Sequence, residues 1–330
     1  MSVKLITGGL ATLAGIGALA MTASAQPAAN SNYSGDTIRI ENFIGRVEVR
    51  TGGSGIAVQI QNPGDAAGDP TLTESATGVA IDGGQTVRNL NCRTRNEEVF
   101  IGRRMNSRSI NEYPLLVITA PASVNFSMDD SAFVGTAGDL GAIDLSMSSC
   151  GRFTAGAIAR DARIRINGSG DVGLRDIGGS AHLNINGSGD IEAGDISGDA
   201  EFDINGSGDI EAGDVGGMTE VDINGSGDIQ MARLAGLSIE ISGSGDVEAD
   251  AVNGAFRTSI SGSGDVLVRG GRAEPFEAYI NGSGDIAFRG TAVNVTVRES
   301  GGGDVEIRDI EGSIDWRRNG RSILRVGSTD

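Results

Sequence analysis

The sequence predicts an all-β protein, a parallel β-helix or solenoid of about ten two-strand coils with a period near 19 residues. Three observations predict it. A Gly-Ser-Gly-Asp corner recurs through the second half of the chain, apolar and polar residues alternate between corners, and glycine is abundant (53 of 330) while proline is scarce (6). Glycine that returns at a fixed period between β-branched residues, without proline, excludes collagen and disordered linkers.

The corner first appears as Gly168-Ser169-Gly170-Asp171, and its Asp recurs at 190, 209, 228, 246, 265, 285 and 304. The last copy is degenerate, Gly301-Gly302-Gly303-Asp304, and cryptic copies align around Ser149-Cys150-Gly151-Arg152 and Ser131-Ala132-Phe133. Between corners the pattern has period two, the mark of a strand with one buried face. Phe202 and Ile204 point one way and Glu201 and Asp203 the other; the same inward columns hold Leu183 and Ile185, Val221 and Ile223, and Ile239 and Ile241. After each corner a short strand turns Ile191 and Ala193, or Ile210 and Ala212, inward, and a second turn such as Asp195-Ile196-Ser197-Gly198 closes the coil. The small inward alanines imply two sheets lying close together. Such strands bury a face only by stacking about 4.8 Å apart, each paired with its equivalents above and below. Glycine is expected at the corners for its positive φ, and the Asn that precedes five of them (167, 186, 205, 224, 281) for its left-handed tolerance.

Four segments follow in order. Residues 1–25 read as a secretory signal: one charge at Lys4, an apolar run from Leu10 to Met21, and the small-x-small site Ala23-Ser24-Ala25. Residues 26–125 form an amino-terminal β region leading into the solenoid, residues 126–312 the corner-repeat solenoid, and residues 313–330 a carboxy-terminal cap in which Trp316 covers the last coil. Within the second segment, Arg88 to Arg108 reads as a loop-like insertion with six arginines (88, 93, 95, 103, 104, 108), either a solvated loop or a docking patch. No run approaches the ~18 apolar residues of a permanent membrane helix, so no transmembrane anchor is expected.

The charge is −18 from 26 basic and 44 acidic residues. That balance disfavours nucleic acid and anionic membranes and suits cations or neutral glycans. The two cysteines, Cys92 and Cys150, either pair across the start of the solenoid, as an exported compartment allows, or remain two thiols.

Two groups of residues stand out as sites. The Asp column has two readings: each carboxylate bonds the backbone of its own tight corner, or Asp190, Asp209, Asp228 and Asp246 bridge calcium between coils. The outward positions Glu201, Asp203, Glu220, Asp222 and Glu240 form an acidic patch, either a solvated face or a binding face for a cation or cationic partner. His182, the only histidine, reads as a surface residue, and Glu299, which aligns with inward Ile280, reads as the sign of a register shift. No nucleophile, base and orienting group converge in the pattern, so no catalytic residue and no cofactor other than calcium is expected.

The repeated Ile-Asn-Gly-Ser-Gly-Asp-Ile, with Leu116-Val117-Ile118-Thr119-Ala120-Pro121 and Ile40-Glu41-Asn42-Phe43 before it, resembles the head GIN domain family of autotransporter adhesins over residues 37 to 312. The resemblance implies bacterial export, a pectin-lyase-like superhelix with Gly-Ser-Gly turns, no retained catalytic residues and an adhesive role. The expected function is a non-enzymatic, adhesin-like binding or structural rod of the cell envelope, located in the periplasm, on the outer surface or outside the cell. Its partner would be a glycan or protein on a cell surface, or a second copy of itself. The alternatives are a polysaccharide-acting enzyme on a β-helix and a calcium-stabilised extracellular repeat protein.

Overall fold

The computed structural model describes residues 31–87, 90–96, 98–103, 106–319 and 323–327; the expected signal segment lies outside the described residues. Stacking begins early. Thr37–Glu41 pairs in parallel with the first residues of the strand Asn125–Ala137, and Ile44–Thr51 with its last residues. The region preceding residue 126 therefore already contributes rungs of the solenoid. Antiparallel strands flank this first coil, Ile56–Gln61 against Leu115–Ala120 and Thr71–Ser75 against Gly78–Asp82.

From Ala142 onward the coils follow one another in register. Long strands such as Ala162–Gly168, Ala181–Gly187 and Ala200–Gly206 pair in parallel, as do short ones such as Asp171–Gly173, Ile191–Glu192 and Ile210–Ala212. One inward column runs Met147, Ile166, Ile185, Ile204, Ile223, Ile241, Ile260, Ile280, and none of these is more than 2% exposed. Side chains of like shape one strand spacing apart make a continuous dry core, which no single coil can build alone.

The structure adds a third column to the two-strand coil. Leu140, Ile158, Ile177, Ile196 and Val215 bridge one another in parallel, and the column continues through Leu234 and Val252. In the earlier coils it contributes one paired residue per turn, too little to produce the alternation by which a strand is recognised. Toward the carboxy terminus the three stretches merge into single long strands, such as Ile229–Ile241 and Ile286–Glu299.

The corner chemistry differs from expectation in two ways. Positive φ holds at Gly168, Gly187 and Gly206 (153–154°), but the second corner glycine is required by stacking: a Cβ on Gly208 would lie 1.9 Å from the carbonyl oxygen of Gly189 beneath it. Among the described residues, the non-glycine positions with positive φ are Asn42, Asn96, Asp130, Ser149 and Asn294, so the corner asparagines do not adopt that conformation. Asn186 Nδ2 donates to Asn184 Oδ1 in its own strand at 2.6 Å and to Asn167 Oδ1 on the neighbouring coil at 3.3 Å, and Asn224 Nδ2 donates to Asp222 Oδ1 at 2.8 Å.

Three further expectations are corrected. The arginine-rich insertion is not a loop: Asn91–Arg95, Glu98–Arg103 and Asn106–Ser109 form a three-stranded antiparallel sheet. Its first hairpin turns at Asn96, whose φ of 50° accommodates the tight reversal. Arg108 bonds Asp65 at 2.6 Å and Arg93 lies over the Phe100 ring, while Arg88 and Arg104 lie outside the described residues. Nor do residues 313–330 fold across the open end as a cap, as far as they are described. Ser313 to Arg318 complete the strand Val305–Arg318, and Leu324–Val326 pairs with its start, extending the stack. Trp316 packs partly against the core, while Ile314 (52%), Ile323 (45%) and Val326 (54%) stay exposed. Finally, no register shift removes Glu299 from the interior. It pairs with Ile280, is 3% exposed, and accepts a hydrogen bond from Trp316 Nε1 at 3.2 Å.

Candidate functional site

The outward positions of the long strands form ladders of their own. Because every strand is in register, Glu201 stacks on Glu220, Asp203 on Asp222, and Asp222 on Glu240. Glu201, Glu220 and Glu240 are exposed, while Asp203 and Asp222 are half-buried. Two unit charges at the ~4.8 Å strand spacing repel by about 1 kcal/mol in bulk water, and more where water is partly excluded. Burial, and then the neighbouring Asp203 charge, push the Asp222 carboxyl above the usual carboxylate range.

His182 occupies the rung before Glu201, and it is not a free surface side chain. Its Nδ1 lies 2.7 Å from Glu201 Oε2 and its Nε2 lies 3.9 Å from Asp203 Oδ2, so the half-buried ring sits between two carboxylates. One donor atom from each of His182, Glu201 and Asp203 lies within 4.8 Å of the others. A groove of about 620 Å³ runs along this flank, lined by Asp144, Arg163, His182, Glu201 and Glu220 together with Met218. It offers an acidic, partly enclosed surface spanning several coils. Alternation alone places the five carboxylates on one face and the period sets His182 opposite Glu201, but the diagonal approach of the ring to Asp203 leaves no local sequence signal.

The Asp column works differently from the reading of a self-contained corner. From Asp190 onward the carboxylates reach the next coil: Asp190 Oδ1 accepts from Asp209 N (3.1 Å), Asp209 from Asp228 N (2.9 Å), Asp228 from Asp246 N (2.9 Å) and Asp246 from Asp265 N (2.8 Å). A parallel ladder runs through Asp176, Asp195 and Asp214, and at a further turn Asp161 and Asp199 make separate ties, accepting from Ser180 N and Met218 N. The expectation that each Asp bonds its own corner is thus replaced by a tie between coils, because stacking brings the next corner's N–H as near as any donor in its own turn. In all four calcium candidates, Asp190, Asp209, Asp228 and Asp246, one carboxylate oxygen is committed to backbone.

The ladder has a pH consequence. Burial is the main cause that raises the Asp246 carboxyl above its ordinary value, with repulsion from Asp228 and Asp265 adding to it. A carboxyl whose folded pKa is raised favours the native state when protonated, so its stabilising contribution is present below the unfolded pKa of about 3.9 and is lost as pH rises through the folded value. Asp246→Asn keeps the oxygen acceptor and removes the charge. The variant is expected to melt higher than wild type at pH 7, with the gain vanishing below about pH 4. Thermal melts over that range check it; a variant that melts lower than wild type at pH 7, with calcium raising the melting temperature of wild type alone, would replace the backbone ladder with a calcium-bridged column.

Matches to known proteins follow the repeat. A family model described as "Putative auto-transporter adhesin, head GIN domain" matches residues 71–249 and 237–326. The chain belongs to the head GIN domain family. That description implies an extracellular or envelope location and adhesin-like binding of surface partners. No curated protein sequence matches this head GIN chain. Among solved structures, the crystal structure of a "Putative lipid binding protein" from Parabacteroides distasonis is similar at 12% identity, covering 90% of this chain and 94% of that one, with a TM-score of 0.29. Among the described residues, no helix is long and apolar enough to cross a membrane.

Cys92 and Cys150 of the head GIN chain are joined in a disulfide with Cα atoms 5.7 Å apart. Cys150 takes the corner place that Ser169 holds in the next coil, while Cys92 lies in the strand Asn91–Arg95. The bond fastens the antiparallel side sheet to the stack. Around it Ile44, Val99, Ile101, Ile110 and Tyr113 make a second, smaller apolar cluster.

Proposed function

We propose that this head GIN protein is an exported, non-enzymatic rod of the cell envelope that presents an acidic strand face to a partner at a surface. The observation that carries the reading is the register of Glu201, Asp203, Glu220, Asp222 and Glu240 on three adjacent coils. A stack whose coils are tied by backbone ladders and by side-chain-to-backbone ladders holds these groups at fixed spacing. It spends little ordering entropy on contact, which favours affinity from a shallow face. The surface complements a partner that supplies cations or hydroxyl donors, such as a basic protein segment or a neutral glycan.

Protease treatment of intact cells, followed by binding assays with the purified chain, tests this. Surface digestion is expected, together with at least a tenfold loss of partner binding in a variant carrying Glu201→Gln, Asp203→Asn, Glu220→Gln and Asp222→Asn. Digestion only after the outer membrane is permeabilised would place the protein in the periplasm and remove the adhesive role. Polysaccharide cleavage by wild type that disappears in the same variant would make the face an active site.

A further inference from the structure

His182 is held in a way that adhesion does not require. Its Nδ1 is at hydrogen-bond distance, 2.7 Å, from Glu201 Oε2, which fixes the plane of the ring. The opposite nitrogen, Nε2, faces Asp203 Oδ2 at 3.9 Å, too far for a hydrogen bond. Zinc bonds of about 2.0–2.1 Å to imidazole nitrogen and carboxylate oxygen hold two tetrahedral ligand atoms about 3.3–3.4 Å apart, so an ion fits once the Asp203 carboxylate moves about half an ångström toward the ring. The 2.7 Å contact, by contrast, is shorter than the separation of two ligand atoms on one tetrahedral ion. A histidine ligand with its remote ring nitrogen bonded to a carboxylate is the recurrent arrangement behind protein-bound zinc. Asp222 stands on the next rung from Asp203, likewise half-buried and on the same outward face; it lies outside the close group of His182, Glu201 and Asp203, and turning its side chain would bring a third oxygen donor to the ion. The groove along this flank reaches His182 and Glu201.

We propose that His182 Nε2, Asp203 and Asp222 bind a divalent transition-metal ion of the zinc class, with Glu201 as the positioning residue that orients the imidazole. Imidazole among the ligands selects such an ion over calcium or magnesium, which prefer oxygen alone. The ion also relieves the repulsion of the stacked Asp203 and Asp222 charges. Three protein ligands leave a fourth position open to water or to a group brought by a partner. This site stands independently of the adhesive reading, since it concerns binding of an ion by the isolated chain.

Isothermal titration of the chelator-treated full chain with zinc chloride tests it, with thermal melts run alongside. One ion per chain is expected, with a melting temperature raised by zinc. His182→Gln should abolish both effects. Glu201→Gln should keep the stoichiometry and weaken affinity by about 10–100-fold, the usual effect of losing the carboxylate that orients a ligand histidine. Glu192→Gln, on the short-strand ladder, should leave binding unchanged. Zinc binding that survives His182→Gln, an equal loss in Glu192→Gln, or no uptake by wild type overturns the site. A melt of each variant without metal separates lost binding from lost folding.

Discussion

Replacing Phe202 with alanine is expected to destabilise the protein by about 3–5 kcal/mol, the usual cost of emptying a buried phenylalanine site. Phe202 is fully buried and pairs in register with Leu183 below and Val221 above. Its backbone is fixed by two parallel ladders, so the neighbouring coils cannot slide inward to fill the space without breaking hydrogen bonds. The residual cavity therefore stays large. In a stacked protein each coil contacts its neighbours alone, so the damage is local in position although large in energy. Chemical denaturation measures the total loss. Amide exchange locates it: protection should fall in Ala181–Gly187, Ala200–Gly206 and Val215–Ile223 and persist in Val305–Arg318. A variant as stable as wild type would mean that the column is not close-packed at this rung.

Removing the disulfide is the second large effect. Cys92 and Cys150 are 58 residues apart in sequence. A loop of that length, released in the denatured state, corresponds to about 4 kcal/mol of chain entropy. The folded state confines the loss, because the side sheet of Asn91–Arg95, Glu98–Arg103 and Asn106–Ser109 pairs only within itself. Substituting Cys92→Ser and Cys150→Ser together should release this sheet before the solenoid. Limited trypsin digestion at Arg93, Arg95 and Arg103 should quicken in the variant, while fragments containing residues 162–318 resist. Uniform digestion of both parts would show that the bond supports the stack itself.

The contrast between these parts explains what was legible. The corner repeat carried the architecture because a solenoid writes the same steric problem once per coil. Glycine where carbonyls approach, an apolar residue in each inward column and an acceptor at each turn must all recur at one period. The side sheet writes its rule once, over strands of four to six residues with arginine on them. Its alternation is too short to stand out from a polar loop. The carboxy-terminal segment misled for another reason: Trp316 and Ile314 suggest a cover, but they fall on the next rungs above Val297 and Val295 and simply continue the stack.

Glu299 shows the same limit from the opposite side. Alignment alone places it in the isoleucine column, and elementary solvation argues against leaving a carboxylate there. The structure keeps it inside, with Oε1 buried without a partner among the described residues and the Trp316 indole on the last coil donating to Oε2 at 3.2 Å. That partner is 17 residues away and invisible to any local pattern.

The Gly-Ser-Gly-Asp corner and the apolar-polar alternation between its copies thus determined by themselves the solenoid, its period, its direction of growth and the face on which the five carboxylates lie. Those follow from local geometry repeated in register. Only the tertiary structure decided what the side chains do with one another: that from Asp190 onward each corner Asp ties the coil above, that a third column closes each turn, and that His182 stands between Glu201 and Asp203. Such contacts join atoms about one coil apart in sequence and one strand spacing apart in space, and they exist only once the stack has formed.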